Sequence, residues 1–263
     1  MSTPATIRFD DGAAYEGAMG AWSRLAGEVF LDWLAPPAGL RWIDVGCGNG
    51  AFSERILQRC APAEVQGVDP SEAQLAFART RPGAAAAVFR QGDAMALPFE
   101  ADRFDAAAMA LVIFFVPDPA KGVAEMARVV RPGGIVAAYA WDILGGGFPY
   151  RFVGAALRDE GAAPPLPPSV EAARMENLRA LWEGAGLEAV ATREITVERR
   201  FDSFDEFWDL TTGATSLRDT LDRLGPERAA AAKARVRETL PTDPAGRIAY
   251  TARANAIQGR VPG

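Results

Sequence analysis

Arg41-Trp42-Ile43-Asp44-Val45-Gly46-Cys47-Gly48-Asn49-Gly50 is the stretch on which the reading of the fold turns. Its first half is a short, mostly apolar run of strand character. Its second half alternates glycine with small residues and leads into a helical stretch through Ile56 and Leu57. A second strand, 65–68, ends at Asp69 and Pro70, and Ser71 with Gln74 three residues on forms a helix-capping pair. Strand, glycine turn, helix and strand make a βαβ unit. The rhythm continues with strands at 87–90 and 104–114, a helix at 118–130, the turn Arg131-Pro132-Gly133-Gly134 and a strand at 135–141. Apolar strands separated by helices predict a parallel sheet covered on both faces.

Upstream, Met19, Trp22, Leu25, Ala26, Val29, Phe30 and Trp33 recur at helical spacing, which predicts an amphipathic helix over 15–34 closed by Pro36 and Pro37. Downstream of Trp141 the rhythm breaks at Gly145-Gly146-Gly147 and at the proline-rich run 162–168. Helices are expected at 148–159 and 171–183. Two late strands, 187–199 and 247–257, flank a helical insertion carrying Phe204, Phe207 and Trp208. The predicted class is α/β: a doubly wound, seven-stranded, mostly parallel sheet with an antiparallel edge hairpin and helical cap elements.

With 263 residues, 49% apolar and 24% charged, the chain is sized and composed for one sizeable buried core. A net charge of −6 speaks against an electrostatic grip on nucleic acid and leaves a small molecule as the expected partner. The longest apolar run, 106–116, stops at Pro117 and falls short of the roughly 20 residues of a membrane helix. The first residues lack the basic flank and apolar run of a signal peptide, so a cytoplasmic protein without membrane contact is expected. A homo-oligomer stays open. The chain has no histidine and only Cys47 and Cys60 for cysteine. Histidine bases, Ser-His-Asp triads, His-ligated metals and disulfide scaffolds are thereby excluded, and no metal is expected.

Glycines between a first strand and a first helix let the backbone approach a ligand, and the helix N-terminus offers free N–H donors. Two features depart from a dinucleotide site. The spacing is Gly46-x-Gly48-x-Gly50, and Asp44 stands two positions before the first glycine, where it would repel a pyrophosphate but tolerate an ammonium or sulfonium group. Asp69, at the end of the second strand, is placed to take the two hydroxyls of a ribose. Asp93, in Gln91-Gly92-Asp93-Ala94 at the end of the third, suits an exocyclic amine such as that of adenine. The three acids converge on an adenosine bearing an amino-acid tail.

These stretches, together with Val68-Asp69-Pro70-Ser71, Gly92-Asp93-Ala94, Phe104-Asp105 and Arg131-Pro132-Gly133-Gly134, resemble in order and spacing the class I S-adenosylmethionine-dependent methyltransferases. The likeness is to the small-molecule branch (methyltransferase type 11) that includes the ubiquinone and menaquinone biosynthesis C-methyltransferases, and it spans roughly Trp42 to Tyr139. The resemblance implies a Rossmann-like methyltransferase fold in a single domain over 1–263. Within it would lie an N-terminal lid helix at 13–35, a cofactor-binding core at 40–142, and helical substrate-specificity elements at 143–186 and 201–246. It implies S-adenosyl-L-methionine as cofactor, with Gly46, Gly48 and Gly50 along the methionine moiety, Asp69 on the ribose and Asp93 with Ala94 bounding the adenine. The backbone at Ala110 and Leu111 would face the sulfonium end, and Asp44, Cys47, Pro70, Gln74 and Met95 complete the expected cofactor set. Cys47 reads as a small filler and Cys60 as packing.

For the acceptor, Tyr15, Met19, Phe115, Trp141 and Trp208 are the expected pocket residues. Tyr15, Met19, Trp22 and Arg24 on the first helix either form a lid over the cofactor that meets its carboxylate or, for the apolar members, pack in the core with Arg24 in solvent. Trp141, Phe204, Phe207 and Trp208 could line the acceptor pocket, but an aromatic helix face is more often core. Many relatives carry two histidines where this chain has Phe114 and Phe115, so either the acceptor pocket is more apolar here or the two rings only pack the strand end. Methyl transfer from a sulfonium needs in-line positioning above all, so no histidine is required. Tyr15, Tyr139, Asp142, Tyr150 or a water are the candidate bases, and the catalytic residue is unknown. Met109-Ala110-Leu111-Val112 lacks the Pro-Pro motif of base- and glutamine-modifying relatives and the Pro-Cys of cytosine-C5 enzymes. The expected activity is methyl transfer to a small, partly apolar acceptor. The alternative is a non-catalytic S-adenosylmethionine-binding or scaffold protein descended from such an enzyme, which the absent histidines motivate.

Overall fold

The computed structural model describes residues 19–213 and 215–263, with nothing said of the side chains at 215 and 216. Tyr15 and the start of the expected first helix lie outside the described residues. Within them that helix is α1 (Ala21–Leu34), which buries Trp22, Ala26, Phe30, Leu31 and Leu34 along one face and ends where Ala35 turns left-handed at φ 42.

The core alternates strand and helix: β1 (Arg41–Val45), α2 (Ala51–Arg59), β2 (Glu64–Asp69), α3 (Glu72–Thr80), β3 (Val88–Gln91), β4 (Phe104–Ala110), α4 (Pro119–Val129) and β5 (Val130–Trp141). Then come α5 (Arg151–Asp159), α6 (Met175–Gly184), β6 (Glu188–Phe201), α7 (Phe204–Thr212), α8 (Thr215–Leu224), α9 (Pro226–Thr239) and β7 (Ile248–Arg260). Among the described residues the strands form one seven-stranded sheet in the order β3-β2-β1-β4-β5-β7-β6. The first five run parallel, and β7 is antiparallel to both β5 and β6, so the late hairpin closes one edge. Among the described residues no helix is long and apolar enough to cross a membrane.

Four boundaries differ from the sequence-based expectation. The strand expected at 104–114 stops at Ala110, because Leu111 takes a left-handed backbone at φ 62 and Ile113–Phe115 winds into a 3-10 turn. The run Arg131-Pro132-Gly133-Gly134 is an irregularity inside β5 rather than a turn before it. Gly133 N–H donates to the Val261 carbonyl at 2.9 Å and Val261 N–H to that of Gly134 at 3.1 Å, which holds the run on the end of β7. The helix expected at 171–183 is split at Arg174, whose extended backbone separates the 3-10 segment Val170–Ala173 from α6. Both late strands run beyond the expected 187–199 and 247–257.

Asp105, at the start of β4, accepts from Arg41 N at 2.8 Å, Arg41 Nε at 3.0 Å and Arg131 Nε at 2.6 Å, knotting the entrances of β1, β4 and β5. The Arg41 guanidinium holds this carboxyl well below the usual carboxylate range. The Phe104-Asp105 and Arg131 elements of the sequence pattern therefore brace the end of the sheet away from the glycine turn. On one face α6 is anchored by Trp182, fully buried, whose Nε1 donates to the Val136 carbonyl at 2.9 Å. Trp182→Phe, which keeps an aromatic ring and loses the bond, is expected to lower unfolding free energy by about 1 kcal/mol in urea titration.

Candidate active site

The chain order reverses between β1 and β4: β1 leads through α2 to β2 on one side, and the return through β4 and β5 builds the other. Loops leaving neighbouring strand ends at such a point diverge and open a crevice. Asp44 pairs in register with Gly67 on β2 and Ala108 on β4, so the glycine turn leaves from the sheet's centre.

That turn is held by backbone bonds to the end of β2. Gly46 and Cys47 N–H both donate to the Val68 carbonyl, at 2.7 and 3.0 Å. Gly48 N–H donates to Asp69 Oδ2 at 2.9 Å, and Ser71 N–H to Asp69 Oδ1 at 2.8 Å. Asp69 therefore ties the first turn to the second, while each oxygen keeps acceptor capacity. Burial pushes its carboxyl up and these two N–H donors pull it back. Ser71 caps α3 by accepting from Gln74 N–H at 3.4 Å, as the capping pair predicts.

A cavity of about 600 Å³ opens over this floor. Of the expected cofactor residues, Gly46, Cys47, Gly48, Asp69, Pro70, Gln74, Asp93, Ala94, Ala110 and Leu111 line it; of the expected acceptor residues, Met19, Phe115 and Trp141 do. The Cys47 thiol is pushed well up by burial and is no thiolate. Phe114 and Phe115, ring centroids 4.6 Å apart and edge to face, both reach the cavity although Phe114 is buried.

Four of the expected residues stand elsewhere. Asp44 is fully buried behind the turn: Ser53 Oγ donates to its Oδ2 at 2.6 Å, Oδ1 has no partner, and burial pushes the carboxyl up to about 7. Gly50 caps α2, and a Cβ on it would stand 3.0 Å from Ala78 Cβ and 3.1 Å from Phe89 Cζ. Its bareness serves close packing against α3 and β3. Met95 packs against the core, and only its N–H, 2.8 Å from Asp93 Oδ1, serves the strand-end loop. Trp208 stacks on Phe204 at 6.0 Å with Lys233 Nζ 5.4 Å from its ring, and Phe207 packs on Phe201 and Tyr250. The aromatic face of α7 is core. Asp142 is also removed as a candidate base, because Arg253 Nη2 at 2.5 Å and Gly145 N–H at 3.0 Å occupy it. Tyr139 and Tyr150 both line the cavity.

Sequence reading missed Phe148, Arg151, Arg158, Leu217 and the proline-rich run 164–167 as lining residues. Arg151 and Arg158 lie two helical turns apart on α5, a signal visible in the sequence once that helix is assigned.

Residues 43–138 match the family model described as a methyltransferase domain. That segment, the core of the sheet from β1 to β5, is what the chain shares with methyltransferase domains. The ubiquinone/menaquinone biosynthesis C-methyltransferase UbiE of Roseobacter denitrificans is 40% identical over 115 residues, which are 42% of this chain and 46% of that protein. The chain thus matches a little under half the length of that curated relative. The fold extends the likeness beyond residues 43–138. A putative methyltransferase from Bacillus halodurans superposes with a TM-score of 0.61 at 17% identity, over 90% of this chain and 99% of that one. The (4+2)-cyclase SpnF superposes with a TM-score of 0.57 at 24% identity, over 93% and 82%. A fold shared with a cyclase leaves the reaction to be argued from the site.

Proposed function

We propose that the protein is an S-adenosylmethionine-dependent methyltransferase that moves a methyl group to a small, partly apolar acceptor by in-line displacement. The observation that carries this reading is that a single cavity is lined both by Asp69 with the bare backbone of Gly48 and by the rings of Phe114, Phe115 and Trp141.

The residues fit the cofactor. A Cβ on Gly48 would meet only Gln74 Oε1, at 3.9 Å, so the backbone there is open to an incoming amino-acid tail. Beneath it, the unpartnered Oδ1 of Asp44 is a buried acceptor that a nearby ammonium charge would compensate. Asp69 would take the ribose hydroxyls, and Asp93 with Ala94 would bound the adenine. The bound sulfonium supplies the activated methyl group. The chain's own part is to hold the acceptor in line and to exclude water, which the aromatic and proline walls favour.

Asp69→Ala tests the assignment. It is expected to weaken S-adenosylmethionine binding by about 1–3 kcal/mol in calorimetry, through the loss of charge-assisted hydrogen bonds. It should also lower the melting temperature, since the Gly48 and Ser71 N–H groups lose their acceptor. Unchanged affinity would refute the ribose assignment. Methyl transfer from labelled cofactor across a panel of small acceptors tests the activity itself.

A further inference from the structure

The acids and the arginines of α5 reach the cavity from different elements. Beside the glycine turn, the acids Asp69 and Asp93 line it. From α5 come Arg151, Gly154 and Arg158, spaced by three and four residues and so on one helix face. Among the described residues no acid lines the cavity from Leu111 onward.

The acids next to Arg158 in sequence are engaged elsewhere. Asp159 Oδ2 accepts from Arg235 Nη1 at 2.9 Å, and Glu160 Oε2 lies 3.7 Å from Arg228 Nε. Arg158 itself has no carboxylate partner among the described residues. A Cβ built on Gly154 would lie 3.4 Å from Arg158 Nη1, so the guanidinium lies back along the helix over that glycine, on the face that borders the cavity. Arg151 is fixed: Nη1 donates to the Thr251 carbonyl at 2.7 Å and the guanidinium stands 4.5 Å from the Phe152 ring centroid. Partial burial lowers its pKa, as expected of a desolvated cation without an acid beside it. Arg24 and Arg55 also line the cavity, Arg55 paired with Glu28 at 2.9 Å. Arg151 and Arg158, on one face of α5 among apolar lining residues, repel each other and favour a bound anion.

Building on the methyltransferase reading, we propose that the acceptor is an aromatic or apolar molecule carrying an anionic group, carboxylate or phosphate, which Arg158 binds and Arg151 attracts. Arg158 has the reach and, among the described residues, an unengaged fork for a bidentate contact, and Arg151 supplies a fixed positive charge two turns away. The rings of Phe114, Phe115 and Trp141 would take the apolar body.

Calorimetry on the full chain with S-adenosylhomocysteine comes first, and no binding overturns the underlying cofactor reading. The loaded protein is then titrated with 3-phenylpropanoate, 3-phenylpropanamide and phenyl phosphate. At least one anion is expected to bind tenfold or more tighter than the amide, the tighter of the two naming the group. That preference should shrink with added salt. Arg158→Gln should abolish it while S-adenosylhomocysteine affinity stays unchanged, which also reports that the variant is folded, and Arg158→Lys should restore part of it. An amide that binds as tightly as both anions, failure of both anions to bind, or a preference that survives Arg158→Gln overturns the acceptor proposal with the cofactor reading intact.

Discussion

Gly46→Val is expected to abolish cofactor binding and to cost about 3 kcal/mol or more of stability. Gly46 has φ 76, a region where a β-branched residue is strained by roughly 1–2 kcal/mol. A Cβ there would stand 2.4 and 2.6 Å from the two methyl carbons of Val112, in the loop that leaves β4. Overpacking of this kind adds about 1–3 kcal/mol. Either the turn or the loop after β4 must move, and both border the cavity. The glycine is therefore needed for contact between two loops of the protein as well as for a ligand's approach. Two controls separate the terms. Gly39→Ala, at φ 81 with nothing within 4 Å of the added carbon, isolates backbone strain and should cost only about 1 kcal/mol. Val112→Ala should partly rescue Gly46→Ala in a double-mutant cycle. Normal cofactor affinity in Gly46→Val would place the binding turn elsewhere.

Asp44→Asn should stabilise the ligand-free protein at pH 8, leave it unchanged at pH 4, and weaken cofactor binding. Burial raises the Asp44 carboxyl from 3.8 to about 7, so between those values the folded chain keeps a proton that the unfolded chain has released. Stability from this group is therefore full at low pH and is lost as pH rises from about 4 to about 7. One pKa unit corresponds to about 1.4 kcal/mol, so the variant should gain a few kcal/mol above pH 7. Asparagine keeps an oxygen for the Ser53 hydroxyl. The comparison of wild type with variant by urea unfolding at pH 4, 6 and 8 cancels every other titrating group. A cation bound above Asp44 pulls its pKa down, so wild-type affinity should rise with pH through 7 and binding at pH 6 should release a proton. Calorimetry in two buffers of different ionisation enthalpy reads that proton. A stability difference that is flat with pH would remove Asp44 as the titrating group.

Much of the architecture was legible because its signals are local. The alternation of apolar runs with helices, the Ser71 cap and the bare-backbone turn at Gly46, Gly48 and Gly50 are each announced by residues a few positions apart. The errors at the ends of elements have equally specific causes. An apolar run from 104 to 114 contains nothing to announce that Leu111 turns left-handed, and Arg131-Pro132-Gly133-Gly134 looks like a turn until Val261 bonds to it. The site is harder to read than the fold, because a motif names residues without naming their direction. Asp44 and Gly50 belong to the same glycine stretch as Gly46 and Gly48, yet one is buried against Ser53 and the other against Ala78 and Phe89.

By itself the sequence determined the βαβ rhythm, the place of the bare-backbone turn and the acids at the ends of the parallel strands, since periodicity and backbone preference are properties of short segments. Only the tertiary structure decided which of those side chains meet. The packing of α7 sends Trp208 into the core, and the folding back of α5 and the run at 164–167 brings Arg151, Arg158 and the prolines to Phe114 and Phe115. Which way a helix turns its faces is set by what it packs against, and here those partners come from distant parts of the chain.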